Sequence, residues 1–549
     1  MEIRDIYQIE KQAYKKSHTE LARLGMALFF LLGTLAFSYS TSGGVANNAF
    51  LAVAAVFGAY MAMNIGANDV ANNVGPAVGS QALTMTGAIV IAVVFEAAGA
   101  IIAGGEVVST IKNGIIDIQA FGDNTESFIW AMMAALLAAA LWLNIATIAK
   151  APVSTTHSIV GGVMGAGIAA AGIHIVNWEA MGAIVSSWVI SPVIGGVIAA
   201  IILFSIKTTI VFKENKIGAS IKWVPIYVAI MAWAFTTYLI LKGLQHVWPS
   251  IANGLSELLS LQTSMATKPT VMTAAMIGLL SGVLTYLLVK TQIHRKQTQL
   301  ENNRDSVNLL FTVPLIFAAA LLSFAHGAND VANAIGPLAA IYDAVVNHDV
   351  NATAGIPFWI MAVGAIGIAL GLALYGPRLI RTVGSEITEL DQMRAFSIAM
   401  AAAVTVIIAS QLGLPVSSTH IAIGGVFGVG FLREWLDQSQ SIEDEIAEDK
   451  REIQQEKRLL SALRSELNIL LDKKRKLVAD YERITELYRR IDREKVVLKK
   501  AKKTLKREKK ALYVKRDMVK KMVAAWLITV PAAAVLSACV FYMIKGFMG

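Results

Sequence analysis

The sequence predicts an all-α polytopic membrane protein of two inverted-topology repeats, each with a broken helix and a re-entrant helical hairpin, plus a cytoplasmic coiled-coil hairpin. Three observations predict it: the chain is too apolar for water, its polar motifs occur twice in one order, and its excess charge lies in one segment. Of 549 residues, 55% are hydrophobic and 16% charged, with a mean hydropathy of +0.57. A soluble core of ordinary domain size cannot hide that much apolar surface, so a bilayer must cover it. The single cysteine, Cys539, excludes an intramolecular disulfide.

The elements follow in chain order. Residues 1–48 hold a charged tail, unlike a signal peptide, and an extra transmembrane helix over the apolar run 24–41. Residues 49–204 form the first repeat, with runs at 49–78, 86–103, 127–149, 155–176 and 180–204. Crossing a hydrocarbon core of about 30 Å takes about 20 helical residues, and the run after Pro152 is only marginally long enough. Residues 205–308 hold basic linkers and two central helices, over 223–246 and 270–289. Residues 309–433 form the second repeat, 437–521 an insertion, and 522–549 a last helix that completes the second repeat.

The duplication is visible in three landmarks. "GANDVANNVGP" (Gly66 to Pro76) returns as "GANDVANAIGP" (Gly327 to Pro337), and "KAPVSTTHSIVGGVMGAG" (Lys150 to Gly167) as "GLPVSSTHIAIGGVFGVG" (Gly413 to Gly430). "SWVISP" (Ser187 to Pro192) has a looser echo in "AWLITVP" (Ala525 to Pro531). Asn68 and Pro152 are 84 residues apart, and Asn329 and Pro415 are 86 apart. His157 and Pro192 are 35 apart but His420 and Pro531 are 111 apart, so the second half carries an insertion.

That insertion holds the charge. Residues 437–521 carry 26 Lys and Arg against 17 Asp and Glu, which accounts for the whole net charge of +9; the rest carries 22 of each sign. A basic loop between membrane spans is expected in the cytoplasm rather than on nucleic acid. The basic N-terminal tail and the loops near 205–222 and 290–308 are expected on the same side. The loops near 104–126 and 339–353 are acidic on balance and fit outside, as does the C-terminus. These assignments agree only if the helices of two hairpins, about 127–176 and 395–433, enter and return, with "PVSTTH" and "PVSSTH" at their tips. Two such repeats of opposite orientation describe many secondary transporters.

The paired "GANDVAN" and paired "PVS[TS]TH" motifs resemble those of the PiT family of inorganic phosphate transporters, over roughly residues 49–204 and 309–433 and the last span. The resemblance implies uptake of inorganic phosphate by symport with sodium ions or protons; import through alternating access with sodium as the preferred coupling ion, no cofactor and no enzymatic activity is the expectation.

Residue chemistry agrees. An Asp at membrane depth costs about 2.5–3.5 kcal/mol or more and is a functional candidate by default. Asp69 and Asn72, like Asp330 and Asn333, sit three apart on one helical face, with Asn68 and Asn329 adjacent. These six are the expected sodium ligands; an interhelical polar clasp is the bland alternative. At the tips, Pro152 ahead of Ser154, Thr155 and Thr156, and Pro415 ahead of Ser417, Ser418 and Thr419, write helix N-termini. Two such ends could clamp a tetrahedral anion. Phosphate near pH 7 retains a P–OH that can donate to Asp69 and Asp330, whereas sulfate has none.

Other residues have two readings. His157 and His420 could couple protons or touch phosphate, but fixing the hairpins by a hydrogen bond is preferred. Glu96 fits a third cation site or proton relay as well as a buried hydrogen bond. Lys150, opposite Gly413, is read as reaching toward water. In the insertion, an aliphatic residue recurs every seventh position from Leu463 to Val519, with Leu460, Leu467, Tyr481 and Tyr488 in the companion register, a coiled-coil pattern. A straight helix over 463–519 would reach about 84 Å, so both ends return to the membrane only through a turn, expected in "LDKKRKLVAD". Homodimerisation is its expected use. The alternatives kept are a sulfate transporter of the same fold and a phosphate sensor signalling through the coiled coil.

Overall fold

The structure is a computed structural model. It describes residues 3–43, 48–121, 124–149, 153–243, 248–250, 253–254, 268–296, 300–347, 356–386, 390–437, 441–512 and 516–548. Lys150 and Pro152 lie outside them. The described residues form helices and turns, with one isolated bridge between Ile116 and Val176.

The helices are α1 (Ile3–Thr41), α2 (Asn48–Gly79), α3 (Met85–Ala103), α4 (Gly105–Asn113), α5 (Thr125–Ile148), α6 (Thr155–Ala171), α7 (Trp178–Ile206) and α8 (Lys216–Tyr238). They continue with α9 (Val271–Lys296), α10 (Arg304–Leu310), α11 (Thr312–Asp330), α12 (Ala332–Asn347), α13 (Phe358–Glu386), α14 (Gln392–Gln411) and α15 (Ser418–Asp437). The last three are α16 (Ser441–Asp472), α17 (Val478–Leu512) and α18 (Arg516–Met548). Many starts are set by a capping side chain: Thr84, Asn124, Asn177, Asn215, Asn303 and Asp391 each accept from the backbone N–H three residues on.

Among the described residues, eleven helical stretches are long and apolar enough to cross a membrane. The helices that begin at the two hydroxyl motifs, α6 and α15, are not among them. The chain divides into two compact units, 1–429 with 520–549, and 430–519.

In the first unit, the halves interlock through glycines. A side chain at Gly66 or Gly371 would overlap the backbone where α2 crosses α13, and one at Gly99 or Gly327 would overlap where α3 crosses α11. The hairpins repeat the device: Gly161 and Gly165 of α6 meet the backbone of α18, and Gly424 and Gly428 of α15 meet that of α7. Small residues spaced four apart let helix backbones approach closely. Each helix carrying a "GAND" motif is thereby clamped by a helix from the other half.

A broken helix is expected in each repeat, and the two motifs differ from each other. α2 runs unbroken through Gly66–Pro76, while the second motif is interrupted only at Val331, between α11 and α12. A proline in each removes a single N–H, and a helix buried on all sides tolerates that loss.

In the second unit, α16 and α17 are joined by Lys473–Leu477, within the stretch where the turn is expected. Asp480 replaces glycine or proline as punctuation: it accepts from Leu477 N at 2.8 Å and from Lys473 Nζ at 2.7 Å, as an acidic residue does in a capping box. Leu460, Leu463 and Leu467 pack on Leu487 and Ile491. Tyr481 and Tyr488, expected in that seam, are exposed. After the turn the seam uses Leu487, three residues beyond Ile484 rather than three before it, because an antiparallel partner meets the opposite flank of the heptad stripe.

Candidate functional site

The site grows from four chain segments. α2 brings Asn68, Asp69 and Asn72, and the α11–α12 segment brings Asn329, Asp330 and Asn333. The starts of α6 and α15 bring Ser154, Thr155 and Thr156, and Ser417, Ser418 and Thr419. All twelve are at most 3% exposed. They converge because the hairpin tips touch each other, Thr156 Oγ1 donating to Val416 O at 2.9 Å, while Trp188 Nε1 of α7 donates to Pro415 O at 3.1 Å.

Asp69 lies between the tips. Its Oδ2 accepts from Thr155 Oγ1 at 2.8 Å, and its Oδ1 from Thr419 Oγ1 at 3.3 Å. Thr155 Oγ1 also stands 3.2 Å from Asp330 Oδ2, so its one proton is shared between two carboxylates. Asn72 Nδ2 donates to Thr419 Oγ1 at 2.8 Å, and Asn333 Nδ2 to Thr156 Oγ1 at 3.2 Å, matched bonds from opposite halves. Behind them, Asn68 is bonded to Thr147 at 3.0 Å and Asn329 to Ser410 at 2.9 Å, tying each motif to the end of its own hairpin's first helix.

Ser154 and Ser417 cap α6 and α15, each accepting from the backbone N–H of the following histidine, at 3.2 and 3.3 Å. Each O–H is left to donate elsewhere. The starts of both helices meet beside Asp69, and a helix N-terminus is a setting that favours an anion. Cation chemistry is present too. Asn329 Oδ1, Asp330 Oδ1 and Asn333 Oδ1 are buried acceptors without a hydrogen-bond donor, and Pro76 and Pro337 leave the carbonyls of Asn72 and Asn333 without their helical N–H. Buried acceptors require a partner, and hard oxygens of this kind suit sodium.

The histidines of the tips lie behind this centre. His157 stacks on Trp188 with ring centroids 3.8 Å apart and meets His420 edge-on at 4.7 Å. Neither ring nitrogen of His157 has a hydrogen-bond partner. The expected hydrogen bond is therefore replaced, for His157, by ring packing.

Glu96 is joined to a histidine that has no counterpart in the duplication. Its Oε2 is 2.6 Å from His326 Nδ1, and its Oε1 accepts from Asn73 Nδ2 at 2.7 Å. His326 Nε2 stands 3.0 Å from Asp330 Oδ2 and 4.0 Å from Asp69 Oδ2, off the hydrogen-bonding direction. Asp69, His326 and Asp330 thus bring three possible metal-ligand atoms within 4.8 Å of one another, a cluster not evident from the sequence. The duplication hides it: Ile65 stands where His326 does, Ala334 where Asn73 does, and Ile368 where Glu96 does. The available signal was the histidine one helical turn before Asp330, in "AHGAND".

Comparison with known proteins gives this arrangement a class. The model of the phosphate transporter family matches residues 65–537. A Helicobacter pylori protein described as "Putative phosphate permease" is 49% identical over 560 residues, covering 98% of each chain. One of the same description from Haemophilus influenzae is 38% identical over 383 residues, 69% of this chain and 87% of that one. A solved structure described as "The sodium-dependent phosphate transporter" is 30% identical, with a TM-score of 0.69, covering 90% of this chain and 99% of its own. The fold and the family are those of a multi-pass membrane transporter, not an enzyme. The chain belongs to the phosphate transporter family.

Proposed function

We propose that the protein imports inorganic phosphate by sodium-coupled symport, with the two hairpin tips opening in alternation. The observation that carries this reading is the convergence of two helix N-termini on paired Asp–Asn motifs, with donors for an anion and orphaned acceptors for a cation in one buried centre. Phosphate is held by the hydroxyls of Ser154, Thr155, Thr156, Ser417, Ser418 and Thr419 and the N–H groups behind them. Its P–OH donates to Asp69 or Asp330, which separates it from sulfate. Sodium is held by Asn68, Asp69, Asn72, Asn329, Asp330 and Asn333, with the freed carbonyls of Asn72 and Asn333.

His326, between Glu96 and Asp330, positions the Asp330 carboxylate. The sodium-dependent relative supports sodium over protons. His157 and His420 act through packing of the tips. The N-terminus and 430–519 lie in the cytoplasm and the C-terminus outside, by the charge of the loops; the exposed Tyr481 and Tyr488 suit homodimerisation through the insertion.

The test is uptake of radiolabelled phosphate into proteoliposomes under a sodium gradient, a proton gradient or neither, with excess sulfate as competitor. Sodium-driven uptake indifferent to sulfate is expected. Displacement by sulfate would assign the sulfate transporter, and saturable phosphate binding without flux would assign the sensor.

A further inference from the structure

A second buried ion pair lies apart from the site. Lys112 of α4 and Asp343 of α12 are bonded Nζ to Oδ2, with 6% and 3% exposure. They come from different halves of the duplication. α4 is nine residues long, far short of a span, and it meets the second half at three points. Thr110 Oγ1 donates to Gly413 O at 2.6 Å, in the turn that leads to Ser417. A side chain at Gly336, on α12, would overlap Ile111. Lys112 then holds Asp343 further along α12, thirteen residues past Asp330 and so about 20 Å from it at 1.5 Å per residue.

By sequence the matching stretch of the other half differs. "EAAGAIIAGG" from Glu96 to Gly105 aligns with "IALGLALYGP" from Ile368 to Pro377. The first helix ends at Ala103 and restarts as α4, whereas α13 continues to Glu386. Lys112 aligns with Gly384, so no cation stands at the matching place.

A buried ion pair gains about as much by attraction as it loses on leaving water, so this one adds little to folding stability. It does make two positions of α4 acceptable: closed, with both charges paired, and open, with both hydrated. We propose that α4 is the gate over the phosphate site on its face of the membrane, and that Lys112 and Asp343 are the latch, joined when that face is closed and parted when it opens. The proposal rests on the alternating-access reading above. When the gate opens, the freed Lys112 ammonium stands at the entrance and draws in an anion.

The test uses the full chain with Cys539→Ser, Lys112→Cys and Asp343→Cys in proteoliposomes, joined by a short bis-methanethiosulfonate linker that dithiothreitol removes. Phosphate uptake is expected to fall at least tenfold on linking and to return on reduction, while the same double-cysteine protein treated with a monofunctional methanethiosulfonate keeps the uptake it had before treatment. Linked protein, verified by mass, that transports at the unlinked rate overturns the latch. If the double-cysteine protein does not fold, the charge-reversed pair Lys112→Asp/Asp343→Lys decides. Uptake above that of either single reversal supports the latch, and uptake no better than the worse single overturns it. Wild-type vesicles without phosphate flux would refute the transport reading itself, a result separate from either outcome.

Discussion

Replacing the buried Asn73–Glu96–His326 cluster by its counterpart from the other half should separate its structural from its functional role. Glu96 and His326 are fully buried, and removing one partner strands the other. Such a loss costs about 3–5 kcal/mol, which lowers the folded-to-unfolded ratio by a factor of about 150 or more. His326→Ile and Glu96→Ile alone should each show that loss. The triple variant Asn73→Ala/Glu96→Ile/His326→Ile reproduces the Ala334, Ile368 and Ile65 of the matching position, where the same helix crossing packs without charge. An apolar replacement of a whole buried pair is neutral or stabilising by about 1–4 kcal/mol, so the triple should regain wild-type stability. It should nevertheless lose phosphate uptake, because Asp330 has lost the imidazole 3.0 Å away. The assays are reversible unfolding in mixed micelles followed by tryptophan fluorescence, and sodium-driven uptake. A triple variant less stable than both singles would refute the charge-balance argument, and one with wild-type uptake would refute the role given to His326.

Asp69→Asn should keep the fold but weaken sodium-driven uptake by a factor of about 10 to 100, the worth of one charge-assisted contact of about 1.5–3 kcal/mol, with Asp330→Asn similar; unchanged sodium dependence in both would remove them from the cation site. Gly428→Val should abolish folded yield in detergent, since its Cβ would overlap the Gly196 backbone, and recovery of normal monodisperse protein would contradict the close crossing. Deleting 440–518 behind a short linker should leave substantial uptake, and its complete loss in well-folded protein would make the insertion part of the transport machinery. The Asp480 carboxyl is held below the usual carboxylate range, first by its bond from Lys473 and then by that from Leu477 N. Its contribution to the α16–α17 turn is therefore present above about pH 4 and lost as pH falls through its lower folded value. Hydrogen exchange of 473–480 should accelerate in that acid range in wild type and not in Asp480→Asn.

Much of the site was legible because the chain states it twice. The matched spacing from Asn68 to Pro152 and Asn329 to Pro415 marked the same landmarks in both halves, and the structure brings all twelve proposed ligands together. The same reliance on symmetry concealed His326, Asn73 and Lys112, which are departures from the duplication. Tyr481 and Tyr488 were misplaced for a related reason: a heptad stripe does not say which flank an antiparallel partner will cover.

By itself the sequence determined the solvent, the duplication, the short-range caps and the chemistry of the hairpin tips, because hydropathy, spacing and helix-end preferences are written in neighbouring residues. Only the tertiary structure decided that Glu96 faces His326 across 230 positions of chain, that Thr155 bridges Asp69 and Asp330, and that Lys112 meets Asp343. Those pairings depend on where glycine-lined helices cross, and a crossing is set by the packing of two whole surfaces rather than by either segment alone.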